Sequence, residues 1–75
     1  MDDLLVECRS EPRLGGVPVR FGWPGRMREV AEILDCWAGE DHYYFRLRTG
    51  DGAVFILRHD LAGDRWQIHF FSESA

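Results

Sequence analysis

The stretch YYFRLRTGDGAVFILRHDLAGDRWQIHFF, residues 43–71, constrains the fold more than any other part of the chain. Three apolar runs are separated by GDG at 50–52 and DLAGD at 60–64. In the first run Tyr43, Phe45 and Leu47 fall on one face, and Tyr44, Arg46 and Arg48 on the other. A period of two marks a strand with one buried face. The second run, 53–59, is apolar on both faces from Val54 to Leu57, as a central strand is. The third alternates again, with Trp66, Ile68 and Phe70 inward and Arg65, Gln67 and His69 outward. Asp and Gly accept the positive φ that tight hairpins need. The stretch predicts a three-stranded antiparallel meander.

Upstream, LLVECRS at 4–10 alternates partially and reads as a first strand. EPRLGG at 11–16 holds Pro12 and two glycines and reads as a loop. VPVRFGW at 17–23 sets Val17, Val19, Phe21 and Trp23 on one face and Pro18, Arg20 and Gly22 on the other. Pro18 cannot donate to a ladder, which predicts an edge strand or one with its N–H side outward. Pro24-Gly25 is a turn, and SESA at 72–75 a frayed end.

Residues 26–38 read two ways. As a helix, Met27, Val30, Ala31, Leu34 and Trp37 share a face, with Gly39 at the C-cap. As a strand, the run does not alternate cleanly, and a β-bulge near Ile33–Leu34 is needed to rephase its halves.

The totals bound function. For a chain of 8.7 kDa, surface scaling gives roughly 12,600 Å² unfolded and roughly 4,700 Å² folded, enough for one thin core. A pocket of ~300–1,000 Å³ would hollow out much of it, which disfavours an elaborate enzyme. No run approaches a membrane span of ~18 apolar residues. The acidic start MDDLLVEC is unlike a signal peptide, so a cytoplasmic protein is expected. Cys8 and Cys36 are expected as reduced thiols. The net charge of −4 disfavours general nucleic-acid binding. Charge is segregated, however. Residues 13–28 carry four Arg and no acid, and residues 29–41 carry five acids and no base. Pairing between such segments across a sheet is the simplest expectation.

RFGWPGRMREVAEILDCW, followed by the meander, resembles a group of small bacterial cytoplasmic proteins built on a domain of unknown function. The shared features are Gly25–Arg26, Val30–Trp37, Tyr44–Arg48, Asp51–Gly52, Ile56–Asp60 and Arg65–Phe70. The pattern is also similar to a short accessory domain at the C-terminus of some error-prone, Y-family polymerase-like proteins. The resemblance implies a mostly β fold, with 26–38 as a long bent strand. It carries no catalytic signature. Met27 stands where the group often has an aromatic, and Cys36 where it often has Arg.

Residue chemistry adds little toward catalysis. No Cys or His pair has zinc-ligand spacing, so no metal and no cofactor is expected. Cys36, His59 and Asp60 can be written as a nucleophilic set, but His59 and Asp60 are adjacent and point to opposite faces of a strand. The strongest candidate is a surface: Tyr44, Arg46, Arg48, Arg58, Gln67 and His69 on the outward face of the meander, with Phe71 at its edge and Arg20 joining from the earlier strand. Tyr and Arg are enriched at protein hot spots, and aromatics interleaved with Arg also hold single-stranded nucleic acid.

One domain over 1–75 is expected, ordered over about 3–71, mainly β, as a strongly bent antiparallel sheet or small open barrel of five to six strands. The alternative is α+β with one helix at about 26–38. The expected core is Val6, Val19, Phe21, Val30, Leu34, Phe45, Leu47, Phe55, Leu57, Trp66 and Ile68, with Trp37 covering one end. The expected function is non-enzymatic binding through protein contacts, to a partner or in a homodimer. The alternative is a weak single-stranded nucleic-acid module in DNA repair or translesion synthesis. Arg side chains each paired with an acid would count against that alternative.

Overall fold

Each apolar run forms a strand, and each strand pairs with the next in the chain. The computed structural model describes residues 4–10 and 16–72. It contains β1 (Leu5–Arg9), β2 (Val17–Trp23), β3 (Arg26–Ala38), β4 (His42–Thr49), β5 (Val54–Asp60) and β6 (Arg65–Ser72). Sheet order equals chain order and every neighbouring pair is antiparallel. The sheet curls into a half-barrel, with no helix among the described residues. This is the mainly β fold expected from sequence, and the helical alternative over 26–38 is overturned. The loop expected over 11–15 and the end beyond 72 lie outside the described residues. Ser72, expected in that frayed end, closes β6 instead.

The turns follow from their residues. Gly25 takes φ 78° between β2 and β3, and Gly52 takes φ 90° between β4 and β5. There the Thr49 amide donates to the Ala53 carbonyl at 2.9 Å, and the Gly52 amide donates to the Thr49 carbonyl at 3.0 Å. Asp64 enters β6 at φ 48°, a conformation Asp tolerates better than most residues.

β3 serves two ladders. Arg26–Glu29 pair with β2, and the strand from Val30 to Ala38 pairs with β4. The register shifts twice, leaving Ala31 and Leu34 as extra residues. The second shift lies where the Ile33–Leu34 bulge was expected. The shifts place Val30, Ile33 and Cys36 opposite the inward Thr49, Leu47 and Phe45. Glu32, Asp35 and Trp37 lie opposite the outward Arg48, Arg46 and Tyr44. Ile33 therefore packs against the core in place of the expected Leu34. Trp37 does not cover a core end; it is 42% exposed on the convex side.

A bulge also rephases β2. Glu7 pairs with Arg20 and Cys8 with Pro18, which leaves Val19 as the extra residue. Pro18 is thereby fully buried, and Val19, expected in the core, is only half-buried. β2 is not an edge strand. Its ladder to β3 covers Arg20–Trp23 alone, so Pro18 lies where the two strands have parted and removes no bond from that ladder.

The concave side holds the core: Phe21, Phe45, Leu47, Ala53, Phe55 and Leu57. Phe21 meets Phe55 edge-to-face at 4.9 Å. Burying each large side chain contributes roughly 1.5–3 kcal/mol. Val6, Val30 and Trp66 pack on this cluster from its rim. At β6 the alternation fails after Ile68. Leu57 pairs with Ile68 and Ile56 with Phe70, so His69 is the extra residue. Phe71 then joins the concave face against Phe55, at 4.6 Å between rings, and Phe70 turns outward, opposite to the expectation. Ile68 faces the concave side but is 37% exposed, because none of the described strands lies beyond β6 to cover it.

Candidate protein interface

Strict alternation in β4 turns His42, Tyr44, Arg46 and Arg48 outward. Antiparallel register then sets Trp37 of β3 and Arg58 of β5 on either side of Tyr44. The Trp37 and Tyr44 rings stack at 5.3 Å. The His42 ring meets Tyr44 edge-on at 5.0 Å. The bulge in β6 delivers His69 to the same phenol ring, also at 5.0 Å. The Arg58 guanidinium lies 5.7 Å from the Tyr44 centroid. Tyr44 is thus the centre of an aromatic ridge across the convex face.

The charges around the ridge are largely neutralised. Arg58 Nε donates to Asp60 Oδ1 at 3.0 Å, and its Nη1 donates to the Tyr44 hydroxyl at 3.1 Å. The Asp60 bond first, and the Tyr44 bond second, push the Arg58 pKa further up. Arg48 donates to Glu32 directly across the β3–β4 ladder. Arg20 bridges Glu7 at 3.4 Å and Glu29 at 3.1 Å, in the β1–β2–β3 half of the sheet, away from the ridge. Arg46 faces Asp35 in register, but the Asp35 carboxylate accepts from the Cys36 amide at 2.9 Å, and the two side chains form no ion pair. The charge segregation of the sequence is therefore mostly cross-strand pairing. Such exposed pairs are each worth roughly 0–1 kcal/mol.

Of the residues singled out from sequence, Tyr44, Arg46, Arg58 and His69 come together and Arg48 borders them. Arg20 does not join them. Trp37 and Phe70 were missed as surface residues. They are 42% and 50% exposed, the largest apolar side chains on this face among the described residues. Their outward placement follows from the bulges at Leu34 and His69, which strict alternation does not foresee. Phe71, expected beside the face, lies on the opposite one.

The nucleophilic set is not assembled. Cys36 lies across from Phe45, the His59 ring is on Trp66 and bonds Asp64, and Asp60 takes Arg58. Cys8 and Cys36 are free thiols. No three His, Cys, Asp or Glu converge on a common point among the described residues.

On the concave side, an apolar groove of about 260 Å³ opens between the β2–β3 hairpin and β6. Phe21 and Phe55 line it together with Trp23, Arg28, Ile68 and Phe71. The Arg28 guanidinium sits 5.2 Å from the Phe55 centroid and bridges Asp51 at 3.0 Å.

Comparison with protein-family models, curated proteins and solved structures returns no match in any of the three.

Proposed function

We propose that this chain is a non-catalytic binding module that acts through protein contacts, using the Trp37–Tyr44–His69 ridge as its contact surface. One observation carries the reading. Arg20, Arg48 and Arg58 are held by carboxylates, while Trp37 stands half-exposed in a stack with Tyr44 and Phe70 stands half-exposed on the same convex face. Large aromatic side chains with few rotamers are the usual anchors of protein interfaces. Binding to a nucleic-acid backbone needs cations available to phosphates. Among the described residues only Arg46 of the ridge arginines lacks a carboxylate partner, and the net charge of −4 repels a polyanion.

The test has two arms. Amide-resolved NMR titration with short single-stranded oligonucleotides should leave Tyr44, Arg46, Arg48 and Arg58 unmoved. A photo-crosslinking residue at Arg46, on β4, should capture a protein other than a second copy of this chain in cells of the source organism, and Trp37→Ala should abolish capture while the fold persists. Salt-sensitive shifts at the ridge would transfer the site to nucleic acid. Capture unaffected by Trp37→Ala would remove the ridge from the interface.

A further inference from the structure

We infer that β6 is a self-association edge, and that two copies of this chain pair β6 to β6 across a two-fold axis. β6 is the last strand of the sheet, so one row of its N–H and C=O groups has no ladder partner among the described residues. Unpaired edges recruit other strands unless charge, proline or a cover blocks them. The other open edges are blocked by charge or proline: Val17–Val19 of β2, with no described partner on the β3 side, holds Pro18. β1 carries Glu7 and Arg9 among its five residues. β3 beyond Glu29 has no described partner on the β2 side, and that run carries Glu32 and Asp35. β6 has one formal charge, Arg65, at its first position, and no proline. It exposes apolar side chains on both faces, Ile68 and Phe71 on the concave side and Phe70 on the convex side.

The bulge decides the pairing. In a regular strand Trp66 and Phe71 would lie on opposite faces. The extra residue His69 puts both on the concave face, where Trp66 meets Phe45 and Phe71 meets Phe55. An antiparallel two-fold near His69 therefore sets Trp66 of one copy against Phe71 of the other. On the convex face the same axis sets Gln67 against Phe70. Aromatic cross-strand pairs of this kind stabilise sheets. The axis sends the two Arg65 side chains to opposite ends of the interface, so the net acidic copies meet along an almost uncharged strip. The pairing is isologous and closes at two, whereas β1-to-β6 pairing would be head-to-tail and open-ended. It also covers the open flank of the concave groove, where Ile68 and Phe71 are exposed in a single copy.

The edge and the ridge share His69 and Phe70 of β6, but Trp37 lies on β3, away from the edge, so a Trp37 variant separates the two readings. Sedimentation equilibrium of the intact protein, from micromolar to millimolar, should show a monomer–dimer equilibrium. Ile68→Lys places a charge on the concave side of the edge and should weaken association about tenfold or more. Trp37→Ala should leave it unchanged. Hydrogen exchange on the wild type, which does not depend on any variant folding, should show the outward β6 amides slowing as concentration rises. A monomer at every concentration overturns the inference. So does a dimer whose β6 amides exchange freely.

Discussion

The imidazole of His59 lies flat on the indole of Trp66, with ring centroids 4.0 Å apart and planes within 5°. His59 Nε2 also meets Asp64 Oδ1 at 2.8 Å, and Asp64 is the residue that turns the chain into β6. The end of β5, the turn and the start of β6 are thus held by one stack. Trp66 continues it inward to Phe45, 5.8 Å away. Trp66→Ala should cost about 3 kcal/mol, the low end for large-to-small core changes, because Trp66 is only half-buried. Urea unfolding of the two proteins measures the difference.

Gly22 is required by a backbone contact. It takes φ 146°, and a Cβ there would lie 2.2 Å from the Arg26 carbonyl oxygen. A carbonyl in the ladder cannot move aside as a side chain can. Gly22→Ala should destabilise the protein by about 3 kcal/mol. Gly25→Ala, also at positive φ but in open space, should cost less. Comparing the two thermal midpoints separates contact from conformation.

Asp51 links pH to the β4–β5 turn. The Thr49 hydroxyl bond first, then the Ala53 amide and the Arg28 charge, hold its carboxyl below the usual value of 3.8. A depressed folded-state pKa gives stability that is present above the unfolded value and lost as pH falls through the folded one. The protein should therefore lose stability on acidification below about pH 4. Asp51→Asn, which keeps the turn chemistry, should flatten that acid limb. Asp41, lowered mainly by its bond to His42, contributes in the same direction, and its share should remain in the Asp51→Asn protein. Chemical denaturation across the acid range reads both.

The thiols should be sluggish. Desolvation first, and then Asp35, raises the Cys36 pKa above 9.0; desolvation and Asp64 do the same at Cys8. The thiolate is the reactive form. Both residues should alkylate more slowly than a free peptide cysteine at neutral pH, with Cys8, the more exposed, ahead of Cys36. The rates should keep rising past pH 9.0. Mass spectrometry of iodoacetamide-treated protein follows each site.

The strands of the meander were legible because β4 alternates without interruption. β3 was not, for a specific reason. Each of its two bulges inserts one residue, so the core-facing positions Val30, Ile33 and Cys36 recur every three residues rather than every two. A period of three is close to that of a helix, and the run looks amphipathic on a helical projection. The same effect hid part of the ridge. Trp37 and Phe70 face outward because bulges stand before them, and a bulge adds a residue without changing composition. Tyr44, Arg46 and Arg58 lie on strands with regular register and were placed correctly.

The up-and-down strand order carries a kinetic consequence. Every ladder joins segments adjacent in the chain, so closing each hairpin costs the entropy of a short loop. Low sequence separation speeds folding, and this chain should fold faster than a Greek-key sheet of equal length. β3 pairs with its two neighbours along separate stretches, Arg26–Glu29 with β2 and Val30–Ala38 with β4. Hairpins can nucleate at either end, but they become one cooperative unit only when Glu29 and Val30 have joined them.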